Sequence, residues 1–320
     1  MQPLSAPTLD EIQAARARLA GAIVRTPLVR LNAEGVAGEV WLKLEMLQPI
    51  GSFKLRGAAN AMRIAGPAGT RDGVYTASAG NMAQGVAWSA RELGVPATVV
   101  VPDHAPATKL AAIERLGGKV VKVPFERWWQ VMQEHSYPGL GGLFIHPVAN
   151  RDVIAGNGTV ALEILEDLPD VDTVLVPFGG GGLSCGIAAA LAALRPEARV
   201  YGCEVDSAAP LAASLAAGSP QTIDYKPSFV DGIGGKTLLP EMWPLASSLL
   251  AGARGVPLAA VAAAVRLLAE RHRVIAEGAG ATSLAVALAG VPEGRKIVCV
   301  VSGGNLDTAK LCAILDGRMP

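Results

Sequence analysis

Four short segments carry residue types and spacings suited to covalent and anion chemistry. Lys54 lies in Gln48-Pro49-Ile50-Gly51-Ser52-Phe53-Lys54-Leu55-Arg56-Gly57, where an irregular loop gives way to an Ala-rich stretch able to form a helix. A lysine at a helix amino terminus faces the positive end of the helix dipole, which favours a neutral amine that can condense with an aldehyde. Taken alone, such a lysine reads more readily as a solvated surface group, but the neighbouring Phe53 offers an aromatic face to a flat ring. Ser78-Ala79-Gly80-Asn81 follows the short extended run Val74–Thr76 and precedes a helical stretch from Met82 to Leu93. Small residues with open amides there suit a carboxylate-sized anion, and a plain N-cap by Ser78 or Asn81 accounts for them equally well. Gly179-Gly180-Gly181-Gly182 separates a strand ending at Pro177–Phe178 from the helix Leu183–Leu194. Four consecutive glycines let backbone amides close around a phosphate, whereas a tight turn rarely needs so many. Ser302-Gly303-Gly304-Asn305 follows the apolar strand Lys296–Val301, so Ser302 emerges at a strand's carboxyl end, where open α/β sheets bind ligands. Its hydroxyl suits a heterocyclic nitrogen; the alternative is a glycine turn.

The elements that must position these segments are legible as alternating apolar β-branched runs and Ala-rich helical stretches, the pattern of parallel sheets with crossover helices. Ala97–Val101, Val120–Val123, Leu143–Ile145, Thr173–Pro177, Val200–Val205 and Lys296–Val301 are too uniformly apolar to leave one face in water. Thr8 and Glu11 form a capping box for the first helix, and Gly94, Gly117 and Gly290 stop helices. The irregular stretch His135 to Gly156 separates two groups of units and puts a boundary near residue 149.

With 320 residues and 51% hydrophobic content, two domains are expected. Lys+Arg 28 against Asp+Glu 28 leaves no general field for nucleic acid or a lipid surface. No signal segment or membrane span is apparent, so a soluble, cytoplasmic protein is expected. Cys185, Cys203, Cys299 and Cys312 lack C-x-x-C spacing and read as four buried thiols; His104, His135, His146 and His272 do not cluster with them, and no metal is expected. A nicotinamide dinucleotide site fails on spacing, since G-x-G-x-x-G begun at Gly180 puts Cys185 in the third position and begun at Gly179 puts Ser184 there.

Together these segments resemble the serine/threonine dehydratase family of pyridoxal-phosphate (PLP) enzymes, of the fold type shared with tryptophan synthase β and cysteine synthase. The likeness also takes in Arg25-Thr26-Pro27-Leu28 and Val153-Ile154-Ala155-Gly156, and so spans nearly the whole chain. It implies an α/β fold of two open parallel-sheet domains with PLP between them: a large domain of residues 1–48 and 150–320, and a small one of 49–149 that closes on substrate. It implies that Lys54 carries the cofactor and takes the Cα proton, that Phe53 packs beside the ring, and that Asn81 meets the ring's phenolic oxygen. Gly179, Gly180, Gly181 and Gly182 with Leu183 would hold the phosphate, and Ser302 would face the pyridine nitrogen. Ser78, Ala79, Gly80, Asn81 and Gln84 would receive the substrate carboxylate. The implied reaction is loss of water from a β-hydroxy amino acid of the L-threonine/L-serine class, giving a 2-oxo acid and ammonia, in a homodimer. Amino acid racemisation on the same scaffold is the runner-up; a nicotinamide-dependent dehydrogenase and a non-catalytic amino acid binding protein are the readings from other classes.

The chain departs from the family in several places. Met82 stands where His is usual and Asn157 where Gln is usual, and little sequence follows Ser302 to form a carboxyl-terminal regulatory domain. Some relatives bind a divalent ion through a Glu and an Asp six residues on; here Glu204 is followed at that distance by Pro210. Racemising members have a serine where Ala79 stands, so little racemisation is expected. Lys43 and Lys109, the other lysines near the site segments, read as ordinary surface groups.

Overall fold

The computed structural model describes residues 4–290 and 294–320. Among the described residues, ten strands occupy two sheets. The larger combines β1 (Leu28–Arg30), β2 (Glu39–Leu44), β7 (Thr173–Pro177), β8 (Arg199–Val205), β9 (Gly252–Val256) and β10 (Lys296–Val301) in the order β1-β2-β10-β7-β8-β9. The smaller combines β3 (Val74–Ala77), β4 (Ala97–Pro102), β5 (Gly118–Val123) and β6 (Leu143–Phe144) in the order β5-β4-β3-β6. All pairings are parallel except that of β1 with β2, so the larger sheet carries one antiparallel edge strand that the apolar runs do not reveal.

The helices are α1 (Leu9–Leu19), α2 (Lys54–Thr70), α3 (Asn81–Leu93), α4 (Ala107–Arg115), α5 (Phe125–Glu134), α6 (Arg151–Asp167), α7 (Gly182–Leu194), α8 (Pro210–Ala217), α9 (Trp243–Leu249), α10 (Leu258–Leu267), α11 (Gly278–Leu288) and α12 (Thr308–Leu315). Both faces of the larger sheet are covered. Along β10, Val298 and Val300 pack in a core with α1, α6 and α7, while Ile297, Cys299 and Val301 pack in a second core with α10 and α11, as alternation along a strand requires. The Thr8–Glu11 capping box opens α1, and Gly94, Gly117 and Gly290 follow helix ends with φ of 68°, 88° and 93°.

Helix α6 places the chemistry. It begins at Arg151, capped by the Asn150 side chain on the Val153 amide, so the irregular stretch is shorter than the sequence suggested and Val153–Gly156 is helical. A Cβ on Gly156 would lie 2.5 Å from the Arg56 carbonyl oxygen of α2, and one on Gly186 of α7 would lie 2.4 Å from the Ile154 carbonyl oxygen. Helix α6 therefore clasps α2, which begins at Lys54, and α7, which begins at Gly182. Charge reinforces this clasp. Arg56 makes paired hydrogen bonds to Glu45 and to Glu163 of α6, and Lys43 of β2 joins Glu163 at 2.5 Å and the Thr26 carbonyl at 2.6 Å. Lys43 and Arg56 are fully buried, so Lys43 is a core ion-pair member and not the surface lysine its sequence context suggests. Removing one partner of such a network would leave an uncompensated buried charge. Cys185, Cys203 and Cys299 are buried free thiols, whereas Cys312 on the outer helix α12 is exposed, correcting the expectation of four buried thiols.

Candidate active site

The site segments meet at the carboxyl ends of β3, β7 and β10. The Ser302 loop receives the Lys54 loop by backbone pairing: Phe53 N donates to Ser302 O at 3.0 Å, and Gly304 N donates to Gly51 O at 2.9 Å. Lys54 opens α2, and its Nζ donates to the Pro147 carbonyl at 2.7 Å and lies 5.3 Å from the Phe53 ring centroid. Burial lowers the amine to a pKa of about 8, partly opposed by the charge of Glu277. The helix dipole acts in the same direction as burial.

A cavity of about 230 Å3 opens beside this amine. Phe53, Lys54, Ser302 and Leu183 line it, together with all four glycines of Gly179–Gly182. Two of the glycines are required, Gly181 by conformation and Gly180 by space. Gly181 has φ of 93°, and a Cβ on Gly180 would lie 2.6 Å from both Val148 methyl carbons. Asn157 Nδ2 donates to the Gly182 carbonyl at 3.3 Å and braces the first turn of α7. Ser78, Gly80 and Asn81 also line the cavity from the start of α3. Ala79 packs instead toward the small-sheet cluster containing Leu110 and Ile113, and Gln84 lines a neighbouring cavity of about 260 Å3. Met82 is buried in the α2–α3 core and touches the cavity edge.

Three lining residues had not been assigned roles in the sequence. Glu277 precedes Gly278-Ala279-Gly280-Ala281 at the start of α11, the same signature of small residues at a helix amino terminus that marks the assigned segments. Its side chain does not cap that helix; Oε1 accepts from Asn81 Nδ2 at 2.8 Å. Asp231 and Lys109, both partly exposed, pair at 2.9 Å beside the cavity, so Lys109 is a surface lysine that also borders the site.

His146 holds the loop behind Lys54. Its Nδ1 accepts from the amides of Val148 at 3.0 Å and Ala149 at 2.6 Å, so its Nε2 carries the proton and faces the Met132 carbonyl at 3.2 Å. Burial first, then the charges of His135 and Lys54, lower its pKa to about 3, with the Met132 carbonyl opposing. Among the described residues, His135, His146 and Glu241 bring potential metal-ligand atoms within 4.8 Å. With both nitrogens of His146 engaged, that trio lacks a free lone pair on its central member. Glu204, which the resemblance marks as a candidate ion ligand, gives both side-chain oxygens to amides opening α8, from Leu211 at 2.8 Å and Ala212 at 2.9 Å.

One buried amine and a run of four glycines at a helix amino terminus border the same cavity, an arrangement suited to a phosphorylated aldehyde. A family profile described as "Pyridoxal-phosphate dependent enzyme" matches residues 19–303, and the chain belongs to that family. It is 38% identical to an L-threonine ammonia-lyase of Thermotoga maritima over 97% of this chain and 78% of that protein. It is 37% identical to a catabolic L-threonine dehydratase of Escherichia coli over 96% of this chain and 95% of that protein. Among solved structures, maize serine racemase superposes with a TM-score of 0.87 at 32% identity, covering 98% of each chain. The site fits PLP on its own geometry: the four glycines leave no side chain between the start of α7 and the cavity, and the buried Lys54 amine borders the same cavity.

Proposed function

We propose that this enzyme removes water from a β-hydroxy amino acid of the L-threonine/L-serine class, releasing a 2-oxo acid and ammonia. The observation that carries the reading is the buried Lys54 amine beside the tetraglycine cradle, in a chain 37–38% identical to threonine ammonia-lyases over almost its full length. When bound, PLP supplies an electron sink that acidifies the substrate Cα–H and eases departure of the β-hydroxyl.

The chain's own groups do the rest. Lys54 holds the cofactor aldehyde and, when its amine is free, takes the Cα proton. Pro147 O accepts a hydrogen bond from Nζ, which fixes the amine's direction. A pKa of about 8 keeps a usable fraction of that amine neutral near neutral pH. Gly179 to Gly182 and Leu183 hold the phosphate at the positive end of α7. Ser302 would offer the pyridine nitrogen a neutral hydroxyl, a weaker partner for a ring proton than a carboxylate, which suits prompt loss of a β-substituent. Ser78, Gly80 and Asn81 form the carboxylate site at the start of α3, with small residues leaving amides open.

Residues 49–149 act as the small domain closing on residues 1–48 and 150–320. The assembly is a homodimer, as the family resemblance implies, and three buried unbridged thiols support a reducing, cytoplasmic setting. Racemisation is the second reading, favoured by the likeness to serine racemase. A panel of β-hydroxy amino acids scored for 2-oxo acid release tests the proposal, with chiral analysis of residual substrate. Keto acid with little D-isomer is expected; abundant D-serine without keto acid would overturn elimination in favour of racemisation.

A further inference from the structure

Glu277 is a buried carboxyl at the cavity wall that no step above uses. The hydrogen bonds around it form a one-directional chain. The Ile50 carbonyl can only accept, so it must face Asn305 Nδ2, 2.8 Å away. The same Nδ2 donates its second hydrogen to Asn81 Oδ1 at 2.8 Å. Asn81 must then turn its own Nδ2 to Glu277 Oε1, also at 2.8 Å, and it keeps one N–H on a side chain that lines the cavity. Flipping the Asn81 amide would set oxygen against the carboxylate and NH2 against the Asn305 NH2, replacing two hydrogen bonds with two repulsions.

We propose that Glu277 is a positioning residue: its carboxylate locks the Asn81 amide so that the spare N–H faces the cofactor's ring oxygen and stabilises the charge there. This rests on the reading that Asn81 contacts that oxygen. The groups facing Glu277 are Asn81, Lys54 of α2, Lys109 of α4 and Asp231 of the 3-10 turn Asp231–Ile233. Burial and Asp231 raise its pKa, the other three lower it, and the balance lies at about 7. A protonated carboxyl donates as well as accepts, so below neutral pH only Asn305 still opposes the Asn81 flip and the lock loosens.

The test titrates PLP into cofactor-free protein and follows the holoenzyme's visible band from pH 5.5 to 8.5. Glu277→Leu is expected to weaken PLP binding roughly tenfold or more, the loss of one charge-assisted hydrogen bond. Glu277→Gln keeps an acceptor for Asn81 but cannot ionise, so PLP affinity stays within about threefold while the band's pH-dependent change near 7 disappears. Asn81→Ala should weaken binding by itself, and adding Glu277→Leu to it should cost less than about twofold more, because the carboxylate acts through Asn81. Wild-type affinity in Glu277→Leu, or full additivity with Asn81→Ala, overturns the proposal. No loss in Asn81→Ala overturns the underlying contact instead. Should Glu277→Leu fail to fold, an unchanged band titration in the near-isosteric Glu277→Gln overturns the lock by itself.

Discussion

Gly180→Ala probes the cradle through space alone, because φ at Gly180 is not positive and an alanine meets no backbone strain there. Its Cβ would sit 2.6 Å from Val148 Cγ1 and Cγ2 and 3.1 Å from Val148 Cβ. Carbon atoms prefer about 3.5–4.0 Å, so two contacts are roughly 1 Å too close. Val148 cannot retreat easily, since its amide is fixed on His146 Nδ1 at 3.0 Å. The glycine loop must therefore shift, and the strain of an overpacked contact, about 1–3 kcal/mol, falls on the phosphate site. At about 1.4 kcal/mol per tenfold, PLP affinity should fall about 5- to 150-fold, measured by titrating cofactor-free protein and reading the visible band. Val148→Ala removes both clashing methyls, so the double variant should recover most of the affinity. Normal PLP loading by Gly180→Ala, or no recovery in the double variant, would refute the reasoning.

His146→Leu leaves two amides and the Met132 carbonyl without their partner, at about 1–3 kcal/mol for each buried group, and should lower the urea midpoint strongly, whereas His146→Asn, which can still accept at the loop, should lower it less. Burial raises Glu204 and Glu277 to pKa values of about 7 from 4.5, so the folded protein retains protons that the unfolded chain has lost; their contribution to stability should fall as pH rises from about 4.5 through 7, opposed by His146, whose lowered pKa favours the folded state as pH rises toward 6.5, and Glu277→Gln should be less destabilised than wild type between pH 5 and pH 8 in urea melts. Activity should survive chelation of divalent ions in potassium buffer, because Glu204 is committed to the α8 amides and Pro210 offers no carboxylate; inhibition reversed by magnesium would show another ligand set. Ala79 carries no proton donor and packs toward Leu110 and Ile113 rather than into the cavity, so residual L-serine should retain its configuration during turnover, checked by chiral chromatography.

The strands bearing the site were readable because each is a buried apolar run, as in Thr173–Pro177, where all five residues are buried. β2 was hidden by its charges: Glu39 and Lys43 break the apolar pattern, and only the tertiary pairing of Lys43 with Glu163 makes that lysine a core residue. β9, Gly252–Val256, is short, glycine-rich and paired only along β8, so it carries little signal of its own. Lys54, the glycine cradle and Ser302 were legible because their chemistry depends on local backbone form, a loop meeting a helix or strand end. Glu277 and His146 were not, since Glu277 meets Asn81 across 196 positions and the His146 role depends on which of its nitrogens receives the loop amides. The small-residue run after Glu277 was the available local sign.

The central claim is that Lys54 holds PLP at this cradle. Borohydride reduction of the holoenzyme followed by peptide mass analysis tests it most directly. Loss of the visible band and a single reduced pyridoxyl-phosphate adduct on Lys54 are expected, with neither band nor adduct in Lys54→Ala. An adduct on Lys43, Lys109 or another lysine, or a reducible band persisting in Lys54→Ala, would contradict it.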